Sequence, residues 1–160
     1  MRNRPNVIST RTTGRTKLGF VVNAEQELSP TVGVFGRFSY DDGQNETWAF
    51  TEIDRSLSLG AASTGERWHR PTDRLGLAVV ANGLAPTHRA YLAAGGYGFI
   101  LGDGALTYGS EFITELYYSL ALPRYHLAVS PDYQLVVNPG YNRDRRGPIH
   151  VVALRLHVEL

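Results

Sequence analysis

The closing segment of the chain, residues 149–160, alternates apolar and charged side chains from position 154 onward. The alternation separates aliphatic from polar side chains, with Leu154, Leu156, Val158 and Leu160 on one side and Arg155, His157 and Glu159 on the other. A period of two residues is typical of a β-strand with one apolar and one polar face. Such a strand fits a transmembrane β-barrel with a water-filled interior. A soluble β-sandwich gives the same pattern, so the other segments must distinguish the membrane barrel from the sandwich.

Composition excludes several classes of function. The chain has 160 residues, which is enough for one domain with a core. Its 16 Lys and Arg nearly balance its 15 Asp and Glu, so no net charge points to a nucleic-acid partner. The absence of cysteine excludes disulfides, thiolate metal sites and cysteine nucleophiles. The sequence contains no apolar run of about 18 residues, so it predicts no transmembrane helix. The first residues lack the apolar segment of a signal peptide.

The pattern predicts seven β-strands and at most one short helix. The strands are expected at residues 17–28, 31–40, 47–61, 74–83, 107–122, 124–138 and 149–160. A helical turn or two is expected at residues 86–94, within an otherwise glycine-rich loop at 84–106. We expect a bulge near residues 52–55, where the parity is unclear, and a bulge or kink at Pro131.

The connections alternate in length along the chain. Those after residues 28 and 122 are short, whereas 41–46, 84–106 and 138–148 are longer. The exception is the predicted connection 63–73, which is long where a short turn is expected. Short turns on one rim and long loops on the other are typical of outer-membrane barrels. We therefore predict an all-β protein, an antiparallel transmembrane β-barrel of which about seven to eight strands are present here as a partial barrel, in one domain over residues 1–160.

The charged side of the strands provides the candidate functional residues. Strand parity assigns these side chains to the inner face: Arg37, Arg74, Glu111, Glu115, Tyr117, Arg155, His157 and Glu159. Arginine donors, carboxylate acceptors and an aromatic ring can together bind the hydroxyl groups and ring faces of sugars. Each residue alone is better explained by solvation of a wet wall or by pairing with a charged neighbour, whereas the set as a whole indicates water inside.

Other chemistries find little support in the sequence. Glu111 and Glu115 lie on one face of a strand with about 13 Å between their Cα atoms, which is too far for a favourable glycosidase pair. The five histidines show no metal-ligand spacing, and the glycine-rich segment 95–102 lacks the Lys-Ser/Thr ending of a phosphate loop. We expect no catalysis, no metal and no cofactor.

Several phrases resemble a known family. The segments W-H-R-P-T-D-R-L-G-L-A (68–78), E-F-I-T-E-L-Y-Y (111–118) and S-P-D-Y-Q-L-V-V-N-P-G (130–140) are similar, in order, to motifs of the carbohydrate-selective porins, the OprB family. The segments 33–43 and 153–156 also resemble strands of that family.

The resemblance implies a porin that passes sugars across the outer membrane of a Gram-negative bacterium. The family barrel has about sixteen strands, so the chain resembles its C-terminal half. The implied partners are sugars as permeating solutes, together with outer-membrane lipid and lipopolysaccharide. Assembly would occur as a homo-oligomer or by pairing with a separate N-terminal half. Leu160 departs from the aromatic residue with which such barrels usually end.

Two alternatives remain open from the residues themselves. One is a small complete outer-membrane barrel of about eight strands with a lipid-binding or acyl-transfer role, whose interior is filled by side chains. The other is a soluble β-sandwich.

Overall fold

The computed structural model describes residues 5–6, 12–45 and 52–159. It consists of one antiparallel sheet in which seven strands neighbour each other in sequence order. The strands are β1 (Gly19–Ser29), β2 (Val32–Asp41), β3 (Arg55–Gly65), β4 (Arg70–Gly83), β5 (Glu111–Leu122), β6 (Leu127–Val137) and β7 (Ile149–Val158). One helix, α1 (Pro86–Ala93), lies between β4 and β5, which confirms the short helix predicted there.

The all-β antiparallel prediction is confirmed, and the sheet is unclosed. Within the described residues β1 and β7 form its two outer edges and do not pair with each other. No helix in the described part of the chain is long and apolar enough to cross a bilayer.

The third strand differs most from expectation. Its prediction at residues 47–61 is wrong at both ends, because β3 begins at Arg55 and continues to Gly65; residues 46–51 lie outside the described ranges. The small side chains at its centre, Gly60, Ala61 and Ala62, give no apolar alternation from which its end could be predicted. Since β4 begins at Arg70, the long connection expected at 63–73 is in fact a short turn.

The bulges also fall elsewhere than expected. Register shifts occur between Glu27 and Ser29 and between Thr64 and Gly65, not near residues 52–55. The pairing of β6 with β7 runs through Pro131 without a shift. On the β5 side the register is also kept, and pairing is only interrupted opposite Ser130 and Pro131. The missing N–H of proline explains this gap without a bulge.

The connections sort onto two rims. The short ones lie at residues 30–31, 66–69 and 123–126, at the end that we term the short-turn rim. The long ones lie at 42–54, 84–110 and 138–148, at the long-loop rim.

Two short turns share a sequence and a conformation. Both contain an Arg-aromatic-His triplet, Arg67 to His69 and Arg124 to His126, in a 3-10 turn. The histidines adopt left-handed backbone angles, with φ of 62° at His69 and 49° at His126. In each turn the histidine N–H donates to the carbonyl three residues earlier at 3.1 Å, which ends the turn. The next strand then starts in the antiparallel direction.

A buried carboxylate fastens the short-turn rim. The side chain of Asp73 is fully buried and accepts hydrogen bonds from Arg70 Nε at 2.5 Å and from the backbone N–H of Ala121 at 2.9 Å. The hydroxyl of Tyr118 donates to the same carboxylate and accepts from the indole of Trp68 at 2.9 Å. These bonds connect the start of β4 to β5 and to the turn that precedes β4.

The long loops form a small folded cap. Its apolar core contains Leu84, Leu92 and Tyr141, each no more than 2% exposed. The buried carboxylate of Glu52 accepts the backbone N–H groups of Phe99, Ile100 and Leu101 at 2.7 to 3.2 Å. The glycine-rich segment that superficially resembles a phosphate loop therefore binds an internal carboxylate.

Two further carboxylates anchor the cap. Asp54, the residue before β3, accepts from the N–H of Ala85 at 2.7 Å and contacts His88 Nδ1 at 2.9 Å, so it connects the beginning of α1 to β3. Although burial raises its pKa, the bonds from His88 and Ala85 outweigh that effect, and the pKa of Asp54 is lowered. Asp103 forms a two-pronged ion pair with Arg145 at 2.6 and 2.7 Å. The bonds from Arg145 and then Asn142 lower the pKa of Asp103 to about 2.

Replacing Asp73 by alanine should destabilise the sheet by about 1–3 kcal/mol, because the N–H of Ala121 and the hydroxyl of Tyr118 would lose their shared acceptor. Denaturant unfolding of the protein in detergent micelles would measure this loss. The matched control is Glu66→Ala in the adjacent turn, where the side chain is exposed, and no comparable change is expected. Equal stability of the Asp73 variant and the control would contradict the assignment.

Acid should release the loop that Asp103 anchors. The folded-state pKa of about 2 lies below the unfolded value of about 3.9, so the contribution is complete above the unfolded value and is lost as the pH falls through about 2. Hydrogen exchange of residues 103–109 should therefore accelerate between about pH 4 and pH 2 beyond the intrinsic trend. The Asp103→Asn variant should lack this acid step; an identical profile would contradict the anchor.

Candidate functional site

The strand registers divide the side chains of the sheet into two faces. Directly paired residues share a face, and faces alternate along each strand. One face, termed the inner face, carries mainly polar and small side chains: Asn23, Glu25, Glu27, Phe35, Arg37, Ser58, Gly60, Ala62, Arg74, Gly76, Ala78, Glu111, Glu115, Tyr117, Ser119, Asp132, Gln134, Ala153, Arg155 and His157.

The opposite face, termed the outer face, is mainly apolar on all seven strands. It includes Phe20, Val22, Phe38, Leu57, Leu59, Leu75, Leu77, Val79, Phe112, Leu116, Leu120, Val129, Val152, Leu154 and Leu156. On β7 the exposed fractions reach 81% for Val152 and 67% for Leu156. An apolar surface of this extent indicates contact with lipid or another apolar partner.

Aromatic side chains collect at both rims of the outer face. At the long-loop rim the ring of Phe20 lies 5.6 Å from that of Tyr40, over which the Arg55 guanidinium is placed at 5.3 Å. At the short-turn rim Trp68 and Tyr118 are 6.2 Å apart. Two aromatic bands around an apolar belt are typical of barrels at the two membrane–water interfaces. The sequence has two further aromatic residues at Trp48 and Phe50, which lie outside the described residues.

The inner face brings three of the predicted residues together. Arg155 on β7 donates to Asp132 on β6 at 2.5 Å and to Glu115 on β5 at 3.2 Å. Its guanidinium also lies 5.8 Å from the centre of the Tyr117 ring. We refer to Glu115, Tyr117, Asp132 and Arg155 as the inner cluster.

Electrostatics explain the arrangement of the inner cluster. Two carboxylates this close repel each other, and one guanidinium with several donors relieves the repulsion. The Asp132 side chain is 1% exposed, whereas that of Arg155 is 60% exposed. Asp132 therefore lies buried at the base of the cluster. Arg155 presents its remaining donors to the space in front of the sheet.

Glycine allows two aromatic rings to lie flat against the inner face. Tyr117 is paired with Gly76, and a Cβ built on Gly76 would collide with the tyrosine ring. Phe35 covers Gly60 in the same way. A larger residue at either glycine position would force the ring away. One face of each ring thus packs on backbone, and Phe35 remains 36% exposed.

The other predicted residues are separate from the inner cluster. The carboxylate of Glu111 accepts from Asn82 at 3.2 Å and from the N–H of Gly140 at 2.8 Å, so it holds the long-loop cap. Arg37 donates to Asn23 at 3.3 Å. Arg74 lies nearer the short-turn rim, opposite Ser119.

The last two predicted residues lie at the end of β7. His157 belongs to that strand, but Glu159 follows its last residue, so the strand predicted to continue through position 159 ends earlier. The two side chains approach each other at 3.8 Å and are 72% and 76% exposed. Leu160 lies outside the described residues.

The sequence prediction missed Asp132 and Phe35. Period-two counting along β6 places Asp132 on the face of Arg155, so a carboxylate at that parity was the available signal. Phe35 has the parity of Arg37, but its glycine partner Gly60 lies on another strand, so parity alone did not indicate the contact of its ring with the wall. In the part of the chain that the structure describes, no group of His, Asp and Glu is arranged to bind a metal ion.

Comparison with known proteins agrees with this geometry. The model of the family described as "Carbohydrate-selective porin, OprB family" matches residues 4–160. No curated protein and no solved structure matches the chain. The family match covers nearly the whole chain, and an all-β sheet with one polar and one apolar face is the architecture that a porin wall requires. The chain therefore belongs to the carbohydrate-selective porins of the OprB family.

Proposed function

We propose that the seven strands form part of the wall of a water-filled pore through which sugars cross the outer membrane passively. The observation that supports this most is the separation of the two faces over the whole sheet. The outer face would contact lipid and the headgroups of lipopolysaccharide, and the inner face would contact water and solute. The proposal includes no covalent step and needs no cofactor.

The inner cluster fits the chemistry of a neutral sugar. Arg155 donates and Glu115 accepts, so together they can replace water around neighbouring hydroxyl groups. The flat ring of Tyr117 beside them offers an apolar surface for the C–H face of a pyranose. Because the two carboxylates share the single guanidinium of Arg155, the cluster adds polarity to the wall and has one carboxylate in excess.

The remaining inner-face residues would set the general character of the wall. Arg37, Arg74, His157 and Glu159 are exposed and would solvate the pore and bias which ions accompany the solute. Glu111 would act indirectly, since its carboxylate holds the turn at residues 139–141 and thereby the long-loop cap.

Sugar permeability is the test of the proposed function. Liposomes that contain the protein, purified as its complete assembly from the outer membrane, should swell in isosmotic sugar solutions. The rate should decrease from a pentose through a hexose to a trisaccharide as solute size approaches pore size. Protein-free liposomes are the control. An absence of swelling in every sugar would overturn the proposal.

Replacing Arg155 by glutamine should reduce hexose flux by up to about tenfold, because the inner cluster loses one charge-assisted donor and leaves two carboxylates unbalanced. The pore should also become more cation-selective in reversal-potential measurements. Arg37→Gln is the matched control, since it removes an inner-face arginine outside the cluster and should affect sugar flux much less. Equal hexose flux in the two variants would contradict a special role for the cluster.

A further inference from the structure

Two aromatic rings on the inner face extend toward each other across the middle of the sheet. The ring of Phe35 on β2 covers Gly60 on β3, and the ring of Tyr117 on β5 covers Gly76 on β4. In both cases a Cβ built on the glycine would collide with the Cε1 and Cζ atoms of the ring. The far end of each ring therefore stands over its glycine, on the two neighbouring strands β3 and β4.

The register of β3 and β4 gives the separation of the two rings. Gly60 pairs directly with Ala78, and Gly76 lies two positions from Ala78 on the same face. Diagonal positions of this kind on antiparallel strands are about 7–8 Å apart, so the far ends of the rings have about the same separation. One six-membered sugar ring is too small to cover both aromatic faces at this separation, whereas two linked sugar rings can cover them.

The inner face forms an open cavity of about 510 Å³ beside Phe35, toward the short-turn rim. Its polar lining includes Glu25, Glu27, Thr64 and Arg74. The buried hydroxyl of Thr64 forms no hydrogen bond within the described residues. The volume lies within the range of small-molecule sites, which combine apolar or aromatic surface with a few polar groups. The surroundings of Phe35 therefore have the size and chemistry of a binding site.

Each of the two rings has carboxylate and guanidinium groups near it. Glu25 is directly opposite Phe35 across β1 and β2, and Arg74 lines the same cavity. At Tyr117 the corresponding groups are Arg155 and the carboxylates of the inner cluster. A carboxylate accepts from sugar hydroxyl groups, and a guanidinium donates to them. The wall thus offers two successive positions, each with a ring face and hydrogen-bonding groups for one sugar unit.

We infer that Phe35 and Tyr117 form a two-ring platform that binds adjacent units of an oligosaccharide, so the pore binds a disaccharide more tightly than a monosaccharide. Phe35 is then a specificity-determining residue, because it provides the second position. A solute with two linked units uses both positions at once, since binding of the first unit holds the second close to its own ring. A monosaccharide occupies one position at a time. The inference rests on the proposed function and specifies its solute class.

Block of the ion current in planar bilayers measures the affinity of the pore for each sugar. The protein, purified as its complete assembly from the outer membrane, is inserted into the bilayer and titrated with glucose and with maltose. Maltose should bind about fivefold more tightly than glucose, because a second sugar face is removed from water. Equal affinities for the two sugars would overturn the inference.

Replacing Phe35 by leucine keeps an apolar side chain but removes the flat ring. Maltose affinity should fall about fivefold, and glucose affinity should fall no more than about twofold, because the position at Tyr117 remains. The matched control is Phe38→Leu, on the same strand but the outer face, where Phe38 is 40% exposed against 36% for Phe35. Equal maltose affinity in the two variants, or an equal loss for both sugars, would overturn the inference.

A conservative variant separates the role of the ring from a general effect on folding. Phe35→Tyr keeps a flat ring at the same position and should retain the preference of the wild-type pore for maltose. Loss of that preference in Phe35→Tyr would contradict the platform.

Sugar swelling of liposomes that contain the same preparation distinguishes this inference from the proposed function. Preferential block by maltose without flux of any sugar would contradict only the passage of sugars. Glucose flux without a preference for maltose would contradict only the two-ring platform.

Discussion

A strand whose outer face contacts lipid, as we propose for this protein, must satisfy its backbone hydrogen bonds within the protein, because lipid offers none. The sheet achieves this with six antiparallel ladders that connect the strands in sequence order. Since each connection reverses the chain between neighbouring strands, the turns and loops gather on two rims. The tight Arg-aromatic-His turns and the folded cap of long loops both follow from this requirement.

The two faces of the sheet have different side-chain requirements, although they share one backbone. In the membrane wall that we propose, the outer face needs only apolar side chains, with aromatic residues where hydrocarbon meets water. The inner face must hold polar groups in fixed positions, and the inner cluster does so by placing Asp132 beneath Arg155. Glycines at positions 60 and 76 allow aromatic rings to lie flat against this wall. Strand periodicity thus places the polar side chains on one wall, and the two glycines leave room on it for the aromatic rings.

Much of this could be predicted from the sequence, because parity on a strand is local information. Alternation alone placed Arg37, Arg74, Glu115 and Arg155 on one face. It failed for β3, where small residues remove the contrast between faces. It also failed at the turn 66–69, whose left-handed histidine has no strong sequence signature.

The contacts that define the site could not be predicted, because they join distant segments. Glu52 binds amides that lie about fifty positions away, and Asp132 meets Arg155 across a ladder whose register is fixed only by the fold. Glu111 has the parity of a pore residue, but its partners at positions 82 and 140 make it a support for the cap. Residue type and parity predict which side chains lie on the inner face. Only the tertiary pairing decides which of these side chains contact each other.

The central claim is that the inner face contacts water while the outer face contacts lipid. Nitroxide labels at single cysteines test it directly, with Ala78 and Ala153 for the inner face and Leu77 and Leu154 for the outer face. Power-saturation measurements in the native outer membrane should find the inner labels accessible to a water-soluble nickel reagent and the outer labels accessible to oxygen. Nickel accessibility on both faces would contradict a membrane wall and leave a soluble sheet as the account of the fold.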